Sequence, residues 1–327
     1  MPAALEDGEL VDVLATERHF ADHLRPIYQA LPPDRRGRLL TETTVPPSRR
    51  ATVVSSFGDL HRARHAGRPV ILTEHGAGQT YRDPAGRLLA HTSYAGGRDR
   101  YGVILALVPG PTARDAYLET GSLNGAPVVE AGVPKLDAWH RGDRRPELTS
   151  PPTIAVSFHW DCTVAPETRS AWRRFLPAIA ELRRRRPDLR ILGHAHPRLR
   201  KTIEPVYAKE GIAFEPDFER VLEVASVYAC DNSSTMYEYA STERPVVVLN
   251  HRLYRKDVEH GLRFWAASRL GPIVDDPREL EAAIDRALRP DPAAGQLRRD
   301  AVALAYHATD GKATERAVRA ILDAVTE

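Results

Sequence analysis

The residues best suited to chemistry lie in three short segments. In "VILTEHGAGQTY", residues 70–81, an apolar run ends at His75, which Gly76 and Gly78 follow. If the run is a parallel strand, His75 stands at its carboxyl end. That is the rim where such folds bind ligands, and the glycines let backbone approach closely. An imidazole with an unperturbed pKa near ~6.5 can take a proton from an attacking hydroxyl at neutral pH. A histidine that only caps a turn is the plainer alternative, and these residues alone leave both open. In "ILGHAHPRL", residues 191–199, His194 and His196 are two apart on an extended segment and are expected on one side of it. His196 precedes Pro197 where strand gives way to helix, and is suited to donate to an anionic group. An ordinary turn histidine is again the alternative. No H-E-x-x-H pattern or cysteine cluster adds zinc ligands, so no metal is expected there.

The third segment is "YACDNSSTMYEYASTERPVVVLN". A short strand ends at Asp231, Ser233 and Ser234 open a helix, and Pro245 begins another strand. Free N–H groups at a helix start favour a phosphate, and two hydroxyls add donors without bulk. Serine is also a preferred N-cap, so one of the pair can be purely structural. Glu238 lies one turn in from Ser234, within reach of ribose hydroxyls, although a solvated helix face is its default.

These segments need strands to hold them. Short β-branched runs alternate with helical patterns in two series, the signature of βα units on parallel sheets. The first series has a helix over about residues 9–30 and then strands at "ATVVSSF", "RPVILTE", "YGVILALV" and "APVVEAGV". The second has strands at "PTIAVSFHW", "LRILGHAH", "SVYACD" and "PVVVLN", with helices such as "ETRSAWRRFLPAIAELRRRR" and "SSTMYEYAST", and a helical tail. Polar residues and prolines at 140–153 mark the break, giving domains of 1–148 and 149–327. Paired doubly wound domains bind ligands at the carboxyl ends of their strands.

Composition narrows the function. At 327 residues, with 42% apolar and 28% charged residues, the chain suits a soluble two-domain enzyme. A net charge of +2 gives no reason to expect nucleic acid as a partner. Cys162 and Cys230 match no metal or disulfide pattern. No signal segment or run of ~18 apolar residues is evident, so a cytoplasmic location is expected. Arg183 to Arg186 end a helix, where positive charge is favourable. The rival for that tract is contact with anionic lipid at the inner face of the cytoplasmic membrane. His19 and His23, four apart, read as a polar helix face.

Taken in order, "EHGAGQ" (74–79), "AGVPKLD" (131–137), "GHAHP" (193–197), "DNSSTMYEYASTERPVVVL" (231–249) and "DGKATERAV" (310–318) resemble the signature blocks of the CDP-glycerol glycerophosphotransferase family. Enzymes of that family add polyol phosphate units to teichoic acids and related polymers. The resemblance implies an α/β fold of the GT-B type, with two Rossmann-like domains, and a nucleotide held by the second. It implies His75 as the base on the acceptor hydroxyl and His196 as the group stabilising the donor diphosphate. Ser233 and Ser234 would bind phosphate, while Asp231, Glu238, Asp310 and Gly311 would lie at the nucleotide. Gly76, Gln79, His159, Asp161 and His194 are further candidate substrate contacts; Trp160 reads as packing. The implied partners are a nucleotide-activated donor such as CDP-glycerol and a glycan or prenyl-linked acceptor. No resident cofactor is implied, and the lack of a D-x-D sequence argues for metal independence.

Two departures bear on specificity. After its His-Gly the family usually continues Thr-Pro and then lysine, where this chain has Ala77, Gly78 and Gln79. "SFHWDCTVAPET" stands where the family often has a Pro-Thr-x-Arg turn. Compactness favours transfer of single units over polymerisation. Two other functions remain open: a nucleotide-sugar glycosyltransferase or UDP-sugar epimerase of the same fold, and a non-catalytic nucleotide-binding subunit of an envelope assembly.

Overall fold

A computed structural model describes residues 10–76, 81–82, 88–89, 101–120, 123, 125–161, 169–251 and 270–326. Gly78, Gln79 and Cys162 lie outside them. Two compact units emerge, residues 1–141 with 304–327 and residues 142–303. The break falls inside the polar stretch that the sequence marks. The tail behaves otherwise: the sequence groups its terminal helices with the second domain, whereas the chain returns at Leu304 to the first unit.

The first unit holds a six-stranded parallel sheet. Its elements are β1 (Val11–Leu14), α1 (Arg18–Ala30), β2 (Arg36–Leu40), β3 (Ala51–Val54), α2 (Phe57–His65) and β4 (Val70–Thr73). They are followed by the short pair β5 (Tyr81–Arg82) and β6 (Leu88–Leu89), then β7 (Val103–Val108), α3 (Pro111–Thr120) and β8 (Val128–Glu130). A 3-10 turn (Pro134–Leu136) leads into α4 (Asp137–His140). The strand order is β2-β1-β3-β4-β7-β8, with β5 and β6 forming a separate antiparallel pair. Strands β1, β3 and β4 are buried throughout, as expected where helices cover both faces of a parallel sheet. Helix α1 buries Phe20, Leu24 and Ile27, one stripe at helical spacing.

Strand β1 corrects the sequence reading, which ran a single helix from residue 9. Asp12 interrupts the apolar pattern, yet it is fully buried. It accepts from Arg68 Nη1 at 2.8 Å and from the Arg38 backbone N–H at 2.6 Å. An ion pair from Arg68, just ahead of β4, and a backbone donor from β2 make this aspartate tolerable in a buried strand.

The second unit comprises β9 (Thr153–Phe158), α5 (Trp172–Arg185), β10 (Arg190–Ala195), α6 (Pro197–Lys209), β11 (Ala213–Phe214) and α7 (Phe218–Val224). Then come β12 (Val227–Cys230), α8 (Thr235–Ala240), β13 (Val246–Leu249), β14 (Ile273–Val274) and α9 (Leu280–Leu288). Its parallel order is β11-β10-β9-β12-β13-β14. That is the doubly wound Rossmann order, with its switch point between β9 and β12. The core gathers Phe158, Phe175, Ile179, Ile203 and Ile284 around these strands. Gly193 in β10 has a packing reason: a Cβ there would meet the Tyr207 ring at 2.7 Å.

Two last helices, α10 (Pro292–Ala305) and α11 (Ala313–Thr326), complete the chain. Ala317 and Ile321 of α11 join the first unit's core beside Val13, Leu24 and Ile71. Asp137 accepts from the backbone N–H groups of Ala313 at 2.9 Å and Thr314 at 2.8 Å. A carboxylate from the "AGVPKLD" block thus satisfies orphan donors at the start of the last helix.

Candidate functional site

In the first unit His75 follows β4 in a bend, half-buried, with Gly76 buried behind it. Its Nδ1 lies 2.6 Å from the carbonyl oxygen of Ser55, just past the end of β3. A carbonyl can only accept, so Nδ1 carries the hydrogen and the neutral ring has its lone pair on Nε2. The ring meets Phe20 edge-on at 4.9 Å and His23 edge-on at 6.2 Å, both from α1. His23 in turn lies 3.0 Å from Lys135 Nζ. Burial, then the Lys135 charge, then His75 and His19 push the His23 pKa well below its ordinary value. Sequence reasoning took His19 and His23 for a polar helix face. Instead they belong to the surroundings of His75. Once β1 is recognised as a strand, α1 starts at the ligand rim, and that is the signal that finds them.

In the second unit His196 caps α6. Its Nδ1 accepts from the Arg198 N–H at 3.1 Å, so a neutral ring carries its hydrogen on Nε2. His159, just beyond β9, packs its ring 5.0 Å from that of His196. Trp160 packs against the core, as the sequence suggested, and Arg198 lies over its ring at 5.0 Å. Helix α8 begins after Ser234, which is half-buried and makes no side-chain cap bond. Ser233 is 8% exposed, and its Oγ accepts from Thr235 Oγ1 at 2.7 Å. Thr235 is bonded in turn to the Tyr228 hydroxyl at 2.8 Å. Sequence reasoning missed this hydroxyl chain because Tyr228 reads as a strand residue.

Several candidates have other tasks. Asp231 is fully buried at the switch point and accepts from His159 N–H at 2.8 Å and Ala171 N–H at 3.0 Å. Burial raises its pKa to about 7, against the lowering effect of those hydrogen bonds. It therefore anchors the backbone that carries His159, where the resemblance implied a nucleotide contact. Glu238 is 1% exposed inside α8, so its carboxylate is enclosed and not on the solvated face assumed for it or at an open ribose site. His194 does not accompany His196: it is 6% exposed, bonded through Nδ1 to Glu215 O at 2.8 Å, and lies beside Phe218. Burial lowers its pKa to about 4, which marks a neutral core histidine. His196 has left the strand to cap a helix, which breaks the period-2 expectation.

Asp161 accepts from Ser170 N–H at 2.9 Å, and Arg173 approaches it at 3.6 Å. Asp310 and Gly311 act within the first unit. Asp310 accepts two bonds from Arg316, which hold its pKa at about 2. Gly311 has φ +72°, and a Cβ there would collide with the Arg141 side chain. Among the described residues no group of three or more His, Cys, Asp or Glu side chains is arranged to hold a metal ion. No described helix is long and apolar enough to cross a membrane. The arginine tract pairs within its own unit: Arg184 with Glu181, Arg185 with Glu281, and Arg186 with Asp188 and Asp285.

Two Rossmann-like units with all-parallel six-stranded sheets define an α/β protein of the GT-B type. Residues 176–323 match the sequence profile of the family described as CDP-Glycerol:Poly(glycerophosphate) glycerophosphotransferase, so the resemblance carried by the motifs holds over that span. Among solved structures the chain is similar to the wall teichoic acid polymerase TagF soaked with CDPG, at 14% identity and a TM-score of 0.61 over 99% of this chain and 91% of that one. It is similar to S. aureus MnaA with UDP, at 14% identity and a TM-score of 0.62 over 98% of each chain. A UDP-N-acetylglucosamine 2-epimerase follows at 13% identity and a TM-score of 0.58, covering 97% of this chain and 96% of that one. At such identities the likeness speaks for the fold. No curated protein sequence matches the chain.

Proposed function

We propose that the protein transfers a polyol phosphate, glycerol phosphate or a related unit, from a CDP-linked donor to a hydroxyl of a cell-envelope glycan or lipid-linked acceptor. The observation that carries this reading is the family match over residues 176–323, the span that contains His196, Ser233 and Ser234. The acceptor oxygen attacks the phosphorus attached to the polyol. The bond from that phosphorus to the bridging oxygen of the diphosphate breaks, and CMP departs with the oxygen. Such a displacement depends on positioning and charge stabilisation more than on covalent help from the protein.

His75 takes the acceptor proton on Nε2, since its Nδ1–H is committed to Ser55 O. His196 donates from Nε2 to the donor phosphate, since its Nδ1 is committed to the Arg198 N–H. Ser234 and the Ser233–Thr235–Tyr228 chain add hydroxyl donors. The work is done by protein groups alone, so turnover is expected to survive a chelator.

Incubation with radiolabelled CDP-glycerol or CDP-ribitol and a lipid extract tests this reading. Release of CMP with label in the lipid fraction is expected. Intact nucleotide binding without CMP from either donor would overturn it in favour of a silent binding subunit. A second reading, chemistry on a UDP-sugar, is favoured by the equal likeness to S. aureus MnaA with UDP. A thermal-shift panel of CDP-glycerol against UDP-sugars separates the two, because a true ligand raises the midpoint.

A further inference from the structure

The geometry points to Lys135 and His23 as a positioning pair that orients the His75 ring and keeps it as the free base. This inference rests on the proposed role of His75 and names residues that act through it. Contacts that fix the ring include the Ser55 carbonyl at 2.6 Å on Nδ1, the Phe20 edge at 4.9 Å and the His23 edge at 6.2 Å. Phe20 is set by the core. His23 is held by Lys135, whose Nζ stands 3.0 Å from its Nε2. An ammonium can only donate, so Nε2 of His23 must accept, and the His23 ring is held neutral with its hydrogen on Nδ1. The lysine is presented from a 3-10 turn whose flanking residues Pro134 and Leu136 are buried, so its backbone is fixed.

The same ammonium acts on His75 through space. A positive charge beside two imidazoles in contact disfavours the protonation of either. The effect is already visible in His23, whose pKa is lowered by burial and then by Lys135, His75 and His19. A general base needs that protection against protonation at neutral pH. Charged and titratable groups around the pair among the described residues include His19 and His23 on α1, Glu17 at the start of that helix, Lys135 on the 3-10 turn, and Glu74 beside His75. Glu17 approaches His19 at 3.7 Å.

The test combines turnover with a titration that needs no turnover. Lys135→Met keeps the aliphatic stem and removes the charge; Lys135→Arg restores the charge; His23→Phe keeps a ring in place. In Lys135→Met the acid limb of the kcat profile is expected to move to higher pH. Turnover at pH 6 then falls by roughly two- to fivefold more than turnover at pH 8, the result of moving the limb by about one pH unit. Lys135→Arg restores the profile. His23→Phe lowers kcat at all pH values with KM for the acceptor unchanged. In parallel, the His75 ring of the resting protein, followed by NMR, is expected to take up its proton at higher pH in Lys135→Met than in wild type. An unmoved titration in a folded Lys135→Met protein overturns the inference, as does an unchanged kcat profile with only KM for the acceptor raised. A shifted titration in a protein that releases no CMP from any CDP-polyol keeps the pair and sinks the transferase reading.

Discussion

The histidines of the two units, His75 and His196, are wired in opposite senses. His75 gives its Nδ1 hydrogen to a carbonyl at a strand end, so the far nitrogen is a base. His196 takes a backbone hydrogen on Nδ1 at a helix start, so the far nitrogen is a donor. The same side chain thus leaves an acceptor nitrogen in one unit and a donor nitrogen in the other. The difference comes from the element each interrupts: a strand end offers carbonyls, a helix start offers N–H groups.

Replacing His75 by Ala tests the contrast most severely. CMP release is expected to fall by about 10²–10⁴ while nucleotide affinity, measured by calorimetry, is unchanged. Residual activity within a few-fold of wild type would break the comparison. Next comes His196. His196→Asn keeps an acceptor for the helix cap but loses the ring donor, so kcat is expected to drop by roughly 10–100-fold with stability retained. His196→Ala adds a loss of about 1 kcal/mol from the missing cap, read from urea denaturation.

Asp137→Ala should leave nucleotide affinity alone and lower stability by about 1–3 kcal/mol, because two N–H groups at the start of α11 lose their acceptor. Stability also carries a pair of opposed pH slopes within the second unit. The folded-state pKa of Asp231 is raised to about 7, so its stabilising contribution is present below the usual carboxylate range and is lost as pH rises to 7. That of His194 is lowered to about 4, so its contribution is present above the usual histidine pKa and is lost as pH falls toward 4. Asp231→Asn is expected to leave stability rising from pH 4 to 7, and His194→Gln to leave it falling. Denaturation midpoints at pH 4.5 and 7 measure both.

Much of this was legible in the sequence because parallel strands covered on both faces are short and β-branched. Eight of the strands were read from apolar runs such as "TIAVSF" and "VILALV". Strand β1 escaped because Asp12 breaks its run, and its acceptance in the core depends on Arg68, 56 residues away. Missing β1 hid the place of α1, and with it the meaning of His23. Lys135 was invisible for a related reason: its partner lies 112 residues earlier, and no local pattern records such a contact. The carboxylates show a different limit. Asp231 and Glu238 have the residue types of a nucleotide site, yet burial turns Asp231 into a backbone anchor and encloses Glu238. Composition cannot tell a ligand-facing acid from a buried one.

The return of the tail sets an order of assembly. Residues 142–303 leave the ribosome as one uninterrupted stretch that already holds a whole sheet and its helices. The first unit's sheet emerges earlier but waits longer, because Ala317 and Ile321, which follow the whole second unit in sequence, fill its core. Until those residues are made, the lobe bearing His75 lacks part of its apolar filling, and exposed apolar surface of that kind favours aggregation. Substitutions that open the Ala317 and Ile321 contacts will strike that lobe and spare the one bearing His196.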